Sequence, residues 1–164
     1  FSLYSAEEEP RMLLELFRHG ARGPMKNFFD PTWGNNAGEL TATGMRQHYV
    51  LGKALAKDYP HLFAKYDPKD LFLMASTYNR TIVSGISQVY GSYLDGGPKL
   101  DDNQTGSILQ PPYDIKDVPD LNTSYALPYG VLPVPVHVDG ANNQYIFAPF
   151  DAGMCPNNQL WENQ

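Results

Sequence analysis

The sequence has little cysteine, no excess of positive charge and no long apolar run. Its 164 residues contain one cysteine and 12 Lys and Arg against 18 Asp and Glu, which gives a formal net charge of -6 at pH 7. Because a nucleic-acid binder needs a basic face, this balance argues against a nucleic-acid partner. No run approaches the ~20 apolar residues of a membrane helix, so the sequence predicts no transmembrane segment.

Signs of a secretory route come from the start of the chain and from three short motifs. The chain begins at Phe1 without a methionine or a signal-peptide pattern, which is typical of a processed chain. Asn79, Asn103 and Asn122 each begin an Asn-x-Ser/Thr triplet and are candidate glycosylation sites. In an oxidising compartment, Cys155 indicates a free thiol or a disulfide whose partner is absent from this chain. A small buried residue is the alternative.

Apolar runs and helical patterns alternate along the first hundred residues. The pattern predicts a strand at 12–17, a helix at 43–59 capped by Thr41 or Thr43, a strand at 71–75, and a helix from Tyr78 to Gly96 and Gly97. Residues 99–129 read as a long connection, and residues 131–138 and 144–150 as further extended structure. Strand–helix alternation predicts an α/β fold with parallel strands, whose ligands lie beyond the carboxyl ends of the strands.

Each predicted helix carries an apolar stripe that we expect to face the core, with His48 on a polar flank of the first helix. The two stripes comprise Met45, Tyr49, Gly52, Leu55, Ala56 and Tyr59, and Ile82, Val83, Ile86, Val89, Tyr90 and Tyr93.

Basic residues follow both predicted strands at the point where each strand ends. Arg18 and His19 end the first, and Arg80 lies just beyond the second. Because neighbouring strand ends lie about 5 Å apart, these side chains can meet over one small ligand. Arg22 can turn back into the same crevice, since Gly20 permits a tight backbone.

Three guanidinium groups around one imidazole repel each other unless an anion lies among them. Arginine matches the oxygens of a phosphoryl group in bidentate fashion. A neutral histidine among them can attack phosphorus as a covalent nucleophile. The pattern therefore predicts phosphoryl chemistry at His19 without a metal or another cofactor, since the arginines take the place of a cation.

Several motifs resemble those of one family. The segment RHGARGP, residues 18–24, resembles the R-H-G-x-R-x-P signature of the histidine acid phosphatases. Residues 40–55 resemble that family's L-T-x-x-G-x-x-Q-x-x-x-L-G helix, and residues 76–85 its segment with a third phosphate arginine. LPVPVH at 132–137 and the late Cys-Pro are also similar. The resemblance implies a phosphohistidine at His19, phosphate binding by the three arginines, and a three-layer sandwich with a mainly parallel sheet, similar to phosphoglycerate mutase.

One family feature has no counterpart in the sequence. Members carry a late His-Asp pair, whose Asp protonates the leaving oxygen, within a second half that includes a helical insertion. None of the chain's four histidines precedes an aspartate. The resemblance therefore implies that residues 1–164 are the amino-terminal part of a single phosphatase domain, and that the disulfide partner of Cys155 lies downstream.

The functional expectation is an acid phosphatase that hydrolyses phosphate monoesters in a secreted, lysosomal or cell-surface location. The alternative is an inactive phosphatase-like domain that binds a phosphorylated ligand or serves as a glycosylated surface component. Met25 after the signature proline favours broad specificity over a phytase. Phe28 and Trp33 follow the signature closely and fit either a pocket rim or simple packing. A homodimer or larger assembly is left open.

Overall fold

The computed structural model describes residues 9–25, 37–93, 96–101, 103 and 124–138. Its elements are helix α1 (Ala42–Asp58), strand β1 (Leu73–Ala75), helix α2 (Asn79–Ser92), a 3-10 turn (Pro128–Gly130) and strand β2 (Val136–Val138). The chain divides into two compact units, Phe1–Tyr93 with Val134–Gln164, and Leu94–Pro133. No helix in the described part of the chain combines the length and apolar character that a membrane span needs.

Helix α1 begins and ends close to its predicted bounds. The Thr41 hydroxyl accepts a hydrogen bond from the Gly44 N–H at 3.1 Å, so Thr41 is the N-cap. At the other end the Tyr59 N–H donates to the Leu55 carbonyl at 2.9 Å. Pro60 follows, and a proline cannot continue the helix. The predicted helix is confirmed.

The two helices pack through small residues. A Cβ added at Gly52 would lie 2.0 Å from the Gln88 carbonyl oxygen, and one at Gly91 would lie 2.0 Å from the Tyr49 carbonyl oxygen. The Ser92 hydroxyl also donates to the Gly52 carbonyl at 3.3 Å. The backbones of α1 and α2 therefore approach each other directly, with no side chain between them.

This close packing changes which residues are buried, and the predicted stripes are correct only in part. Met45 is 41% exposed, while His48, expected on a polar flank, is only 5% exposed. The buried residues of α1 are Gly44, His48 and Gly52, and those of α2 are Ser84, Gly85, Gln88, Val89, Gly91 and Ser92. Of the predicted stripes, Gly52, Val89 and Tyr93 are buried, and the other residues except Met45 are half-buried. Small residues permit the short distance between the helices, and the buried polar groups hydrogen-bond to each other.

Strands β1 and β2 form a parallel pair, with Leu73 opposite Val136, Met74 opposite His137 and Ala75 opposite Val138. This pairing confirms the predicted α/β class with parallel strands. Leu73 and Ala75 of β1 are buried, and Leu73 packs beneath Gly85 of α2. The carboxyl end of β1 leads, four residues later, into the start of α2.

The prediction of a strand at residues 12–17 is wrong. The segment is extended but belongs to neither paired strand of the described residues. A strand needs a neighbour that satisfies its backbone groups, and among the described residues no strand pairs with this segment. Met12, Leu14 and Leu16 are 79%, 89% and 77% exposed, whereas Phe17 packs against the His48 ring at 5.1 Å. A cavity of about 70 Å³ lies between this segment and β1.

The second unit contains the start and end of the predicted long connection. Lys99 and Tyr125 form an antiparallel bridge, and the Leu100 N–H donates to the Ser124 carbonyl at 2.8 Å. Tyr129 and Gly130 turn the chain with φ of 59° and 65°. Extended structure predicted at 144–150 lies outside the described residues.

Candidate active site

Residues 18–24 form a loop, called here the signature loop, that lines a pocket of about 530 Å³. All seven loop residues contribute to the lining, and the remaining contribution comes from Gln47 of α1. The pocket therefore lies where the extended segment 12–17 ends and where α1 begins.

Backbone hydrogen bonds hold the signature loop against the segment that precedes α1. Arg22 and Leu40 form an antiparallel bridge. The Gly23 N–H donates to the Glu39 carbonyl at 2.9 Å, and the Gly38 N–H donates to the Pro24 carbonyl at 2.9 Å. Gly38 has a φ of 76°, a left-handed conformation that favours glycine. These bonds fix the second half of the loop.

The N-terminus of α1 holds the first half of the loop. The Ala21 carbonyl accepts from the Thr41 N–H at 3.0 Å and from the Thr41 hydroxyl at 2.8 Å. The Ala21 N–H donates to Gln47 Oε1 at 2.9 Å. A Cβ at Gly20 would lie 2.5 Å from the Gly44 carbonyl oxygen, so only glycine fits here. These hydrogen bonds and the close contact at Gly20 hold the signature loop against α1.

His19 is half-buried, and a backbone bond determines which of its ring nitrogens is free. Its Nδ1 lies 2.8 Å from the Gly20 carbonyl oxygen. A carbonyl oxygen only accepts, so Nδ1 carries a proton, and in the neutral imidazole Nε2 then holds the lone pair. This tautomer leaves Nε2 as the nucleophilic atom.

Arg18 and Arg22 lie beside His19 in the pocket lining. Arg18 is exposed, and Arg22 is half-buried with its Nη1 donating to the Gly23 carbonyl at 2.8 Å. The structure therefore brings three of the four predicted site residues to one pocket, where two guanidinium groups and an imidazole can bind an anion.

Arg80 lies in the first turn of α2, near the loop but outside the pocket lining. Its guanidinium carbon lies 4.1 Å from the centre of the Tyr78 ring, and its Nε is buried without a hydrogen-bond partner among the described residues. Ser84, which is fully buried, links the first turn of α2 to the signature loop. The Gly20 N–H donates to the Ser84 hydroxyl at 3.2 Å, and that hydroxyl donates to the Arg80 carbonyl at 2.7 Å.

Comparison with known proteins identifies the family. Residues 11–126 match the family model of the histidine phosphatase superfamily, branch 2, which covers more than half of the chain. The chain belongs to this family. The signature loop, both helices and β1 all lie within the matched residues, and the predicted family is confirmed.

Relatives of this histidine phosphatase chain carry acid phosphatase names. It is 26% identical over 136 residues to the lysosomal acid phosphatase of Xenopus laevis, covering 79% of this chain and 31% of the relative. It is 28% identical to the lysosomal acid phosphatase of Rattus norvegicus, covering 94% and 32%. It is 30% identical to the prostatic acid phosphatase of Bos taurus, covering 96% and 36%. The chain thus spans about a third of the length of these relatives.

A buried polar network next to the signature loop was missed by the sequence reasoning. Glu15 accepts a hydrogen bond from Gln88 Nε2, and Gln88 Oε1 lies 3.0 Å from His48 Nδ1. Burial raises the pKa of Glu15 above its ordinary value, although the bond from Gln88 and the nearby His48 oppose the shift. The available signal was Glu15 itself, the one charged residue inside an apolar run.

The structure describes only some of the residues predicted as glycosylation sites, disulfide partner or pocket rim. Asn79 and Asn103 are exposed, whereas Asn122, Cys155, Phe28 and Trp33 lie outside the described residues. Within the described ranges, no group of three or more His, Cys, Asp or Glu is arranged to hold a metal ion.

Proposed function

We propose that the protein containing this chain is an acid phosphatase that hydrolyses phosphate monoesters through a phosphohistidine at His19. The observation that carries the proposal is the half-buried imidazole whose Nδ1 is held by the Gly20 carbonyl at 2.8 Å. Arg18 and Arg22 line the same pocket as His19. The acid phosphatase names of the relatives support the same reaction and do not favour a domain without turnover.

The reaction has two steps. His19 Nε2 attacks phosphorus, a nitrogen–phosphorus bond forms, and the bond to the leaving oxygen breaks as that oxygen takes a proton. Water then attacks phosphorus, the nitrogen–phosphorus bond breaks, and phosphate and the neutral imidazole are released. Arg18 and Arg22 stabilise the negative charge on the phosphoryl oxygens in both steps.

Arg80 is proposed as the third phosphate-binding arginine. Support comes from its position one hydrogen-bonded hydroxyl away from Gly20 and from its unpartnered, buried Nε. In this role its guanidinium group leaves the Tyr78 ring and turns toward the pocket. A cation–π contact at an exposed site contributes only about 0.5–1 kcal/mol, which a phosphoryl dianion can readily replace.

The residue that protonates the leaving oxygen is proposed to lie outside residues 1–164. The chain matches 31–36% of the length of the three relatives described above, which supports its assignment as part of a longer phosphatase domain. The family's His-Asp pair is the proposed source of this acid.

A secretory or lysosomal location, with glycans at Asn79, Asn103 and Asn122 and a disulfide at Cys155, is part of the same proposal. Two of the three relatives described above are named lysosomal. Asn79 and Asn103 are exposed, as an acceptor for a glycan must be.

The test is His19→Ala in the complete protein, assayed with p-nitrophenyl phosphate at about pH 5. Loss of the nucleophile is expected to lower kcat by about a thousandfold or more. His61→Ala is the matched control, because His61 lies beyond the opposite end of α1 and contacts Glu9 and Pro10 instead. Turnover by His19→Ala close to that of the wild type would refute the assignment.

A further inference from the structure

Among the described residues, Gln47 is the one outside the signature loop that lines the pocket. It lies in the second turn of α1 and its side chain is exposed. Its Oε1 accepts a hydrogen bond from the Ala21 N–H at 2.9 Å. The side chain therefore reaches from the helix to the centre of the loop, at the mouth of the site that holds His19.

The bond to Ala21 determines which way the amide of Gln47 points. A backbone N–H can only donate, so the atom that faces Ala21 is the amide oxygen, and a flipped amide would place two donors against each other. The planar amide then carries its NH₂ group on the opposite side. Nε2 has no hydrogen-bond partner among the described residues, so two N–H donors beside the pocket are unused.

Unused donors next to two arginines fit an anionic ligand. A phosphoryl group presents three oxygens, and each accepts more than one hydrogen bond. Arg18 and Arg22 supply charged donors from the loop, while an amide supplies a neutral donor that does not add to the repulsion between the guanidinium groups. Because the other end of the same amide holds Ala21, a ligand on Nε2 is also coupled to the position of the loop.

We propose that Gln47 is a substrate-binding residue whose Nε2–H donates a hydrogen bond to a phosphoryl oxygen, while its Oε1 holds the signature loop. The inference rests on the proposed phosphatase function and adds to it a neutral contact from α1.

Two variants of the complete protein separate the binding role from a merely structural one. Gln47→Glu keeps an oxygen that accepts from the Ala21 N–H but replaces the donor with a negative oxygen. Gln47→Leu removes both the acceptor for the Ala21 N–H and the amide donor. If Gln47 only holds the loop, Gln47→Glu is close to the wild type and Gln47→Leu is impaired. If Nε2 contacts phosphate, Gln47→Glu is the more impaired of the two.

The measurements are the affinity for inorganic phosphate by isothermal titration calorimetry and the kinetics of p-nitrophenyl phosphate hydrolysis. Loss of a hydrogen bond to a charged group corresponds to about a tenfold to a hundredfold change in an equilibrium constant. We expect Gln47→Glu to raise the Kd for phosphate and the KM by at least about tenfold, with a smaller effect on kcat. Thermal unfolding is expected to be unchanged, because the side chain is exposed.

Ala54→Glu is the matched control for added charge, since Ala54 is an exposed residue of the same helix outside the pocket lining. Its phosphate affinity is expected to match that of the wild type. The Debye length falls to about 3 Å at 1 M salt, so a through-space effect of the new carboxylate would vanish there. The ratio of the Gln47→Glu Kd to the wild-type Kd at 1 M NaCl is expected to stay above about five, as direct contact requires.

The outcomes distinguish the two proposals. A wild-type protein that binds phosphate but does not hydrolyse p-nitrophenyl phosphate refutes the proposed function, while the Gln47 variants still report on binding. A Gln47→Glu variant with wild-type affinity overturns the role of Gln47 and leaves the function standing. A wild-type protein that binds no phosphate overturns both.

Discussion

The direct contact between α1 and α2 predicts that Gly52→Ala destabilises the protein, although alanine is the better helix former. The added methyl would lie 2.0 Å from the Gln88 carbonyl oxygen and 2.9 Å from the Ser92 amide nitrogen. A carbon approaches a carbonyl oxygen to about 3.3 Å, so the helices must move apart by about 1.3 Å. The hydrogen bond from the Ser92 hydroxyl to the Gly52 carbonyl, already 3.3 Å long, is then lost.

Two opposing contributions determine the size of the effect. Alanine in a helix interior is favoured over glycine by about 1 kcal/mol. Overpacking a tight contact costs about 1–3 kcal/mol, and the upper end applies here because the blocking atom belongs to the backbone and cannot change rotamer. The net loss is therefore about 2 kcal/mol, which raises the ratio of unfolded to folded protein by roughly thirtyfold.

Urea unfolding followed by far-ultraviolet circular dichroism measures this loss. Gly85→Ala is the matched control, because it makes the same substitution in α2 but its methyl meets only the side-chain end of Leu73, at 2.9 Å. Leu73 can shift, so Gly85→Ala is expected to be within about 0.5 kcal/mol of the wild type. A Gly52→Ala protein as stable as the wild type would show that the helices do not approach each other as described.

Two other substitutions test polar contacts around the loop. Glu15→Gln keeps an oxygen that accepts the hydrogen bond from Gln88, but its side chain cannot ionise. Because burial raises the pKa of Glu15, the wild-type protein loses stability as the pH rises through that raised pKa. The variant is expected to match the wild type near pH 4 and to exceed it in urea unfolding near pH 7; a constant difference would contradict this. Ser84→Ala leaves the Gly20 N–H without its acceptor and is expected to cost about 1–3 kcal/mol. Ser87→Ala, which loses only a bond to the carbonyl four residues earlier, is its control, and equal losses for the two would argue against the link to the loop.

The arrangement of the site explains why the family signature is followed by a helix. The loop needs partners for its backbone, and Thr41 at the N-terminus of α1 supplies two of them to the Ala21 carbonyl. Gly20 and Gly44 permit the backbones to touch. The motif at residues 18–24 and the motif at residues 40–55 therefore describe two sides of one contact, which accounts for the presence of both in the sequence.

Local information in the sequence was sufficient to predict the two helices, the fold class and the family. The cap at Thr41, the stop at Pro60 and the period of the apolar residues predict α1 within a residue at each end, because these signals act over a few residues of the chain. Strand–helix alternation predicts parallel strands, and β1 and β2 confirm it. The signature at residues 18–24 predicts which side chains line a single pocket, since neighbours in a tight loop stay neighbours in the fold.

Burial, strand pairing and contacts between distant residues were decided only by the tertiary structure. Burial of His48 follows from the glycines that bring α2 close, and a single helix pattern carries no information about its partner. Residues 12–17 pair with no strand of the described ranges, and a strand is defined by a neighbour that a local pattern does not reveal. The reach of Gln47 to Ala21 likewise depends on how two segments meet in space. The sequence by itself predicted phosphoryl chemistry at His19, and the packing of α1 against the loop decided that Gln47 lines the same pocket.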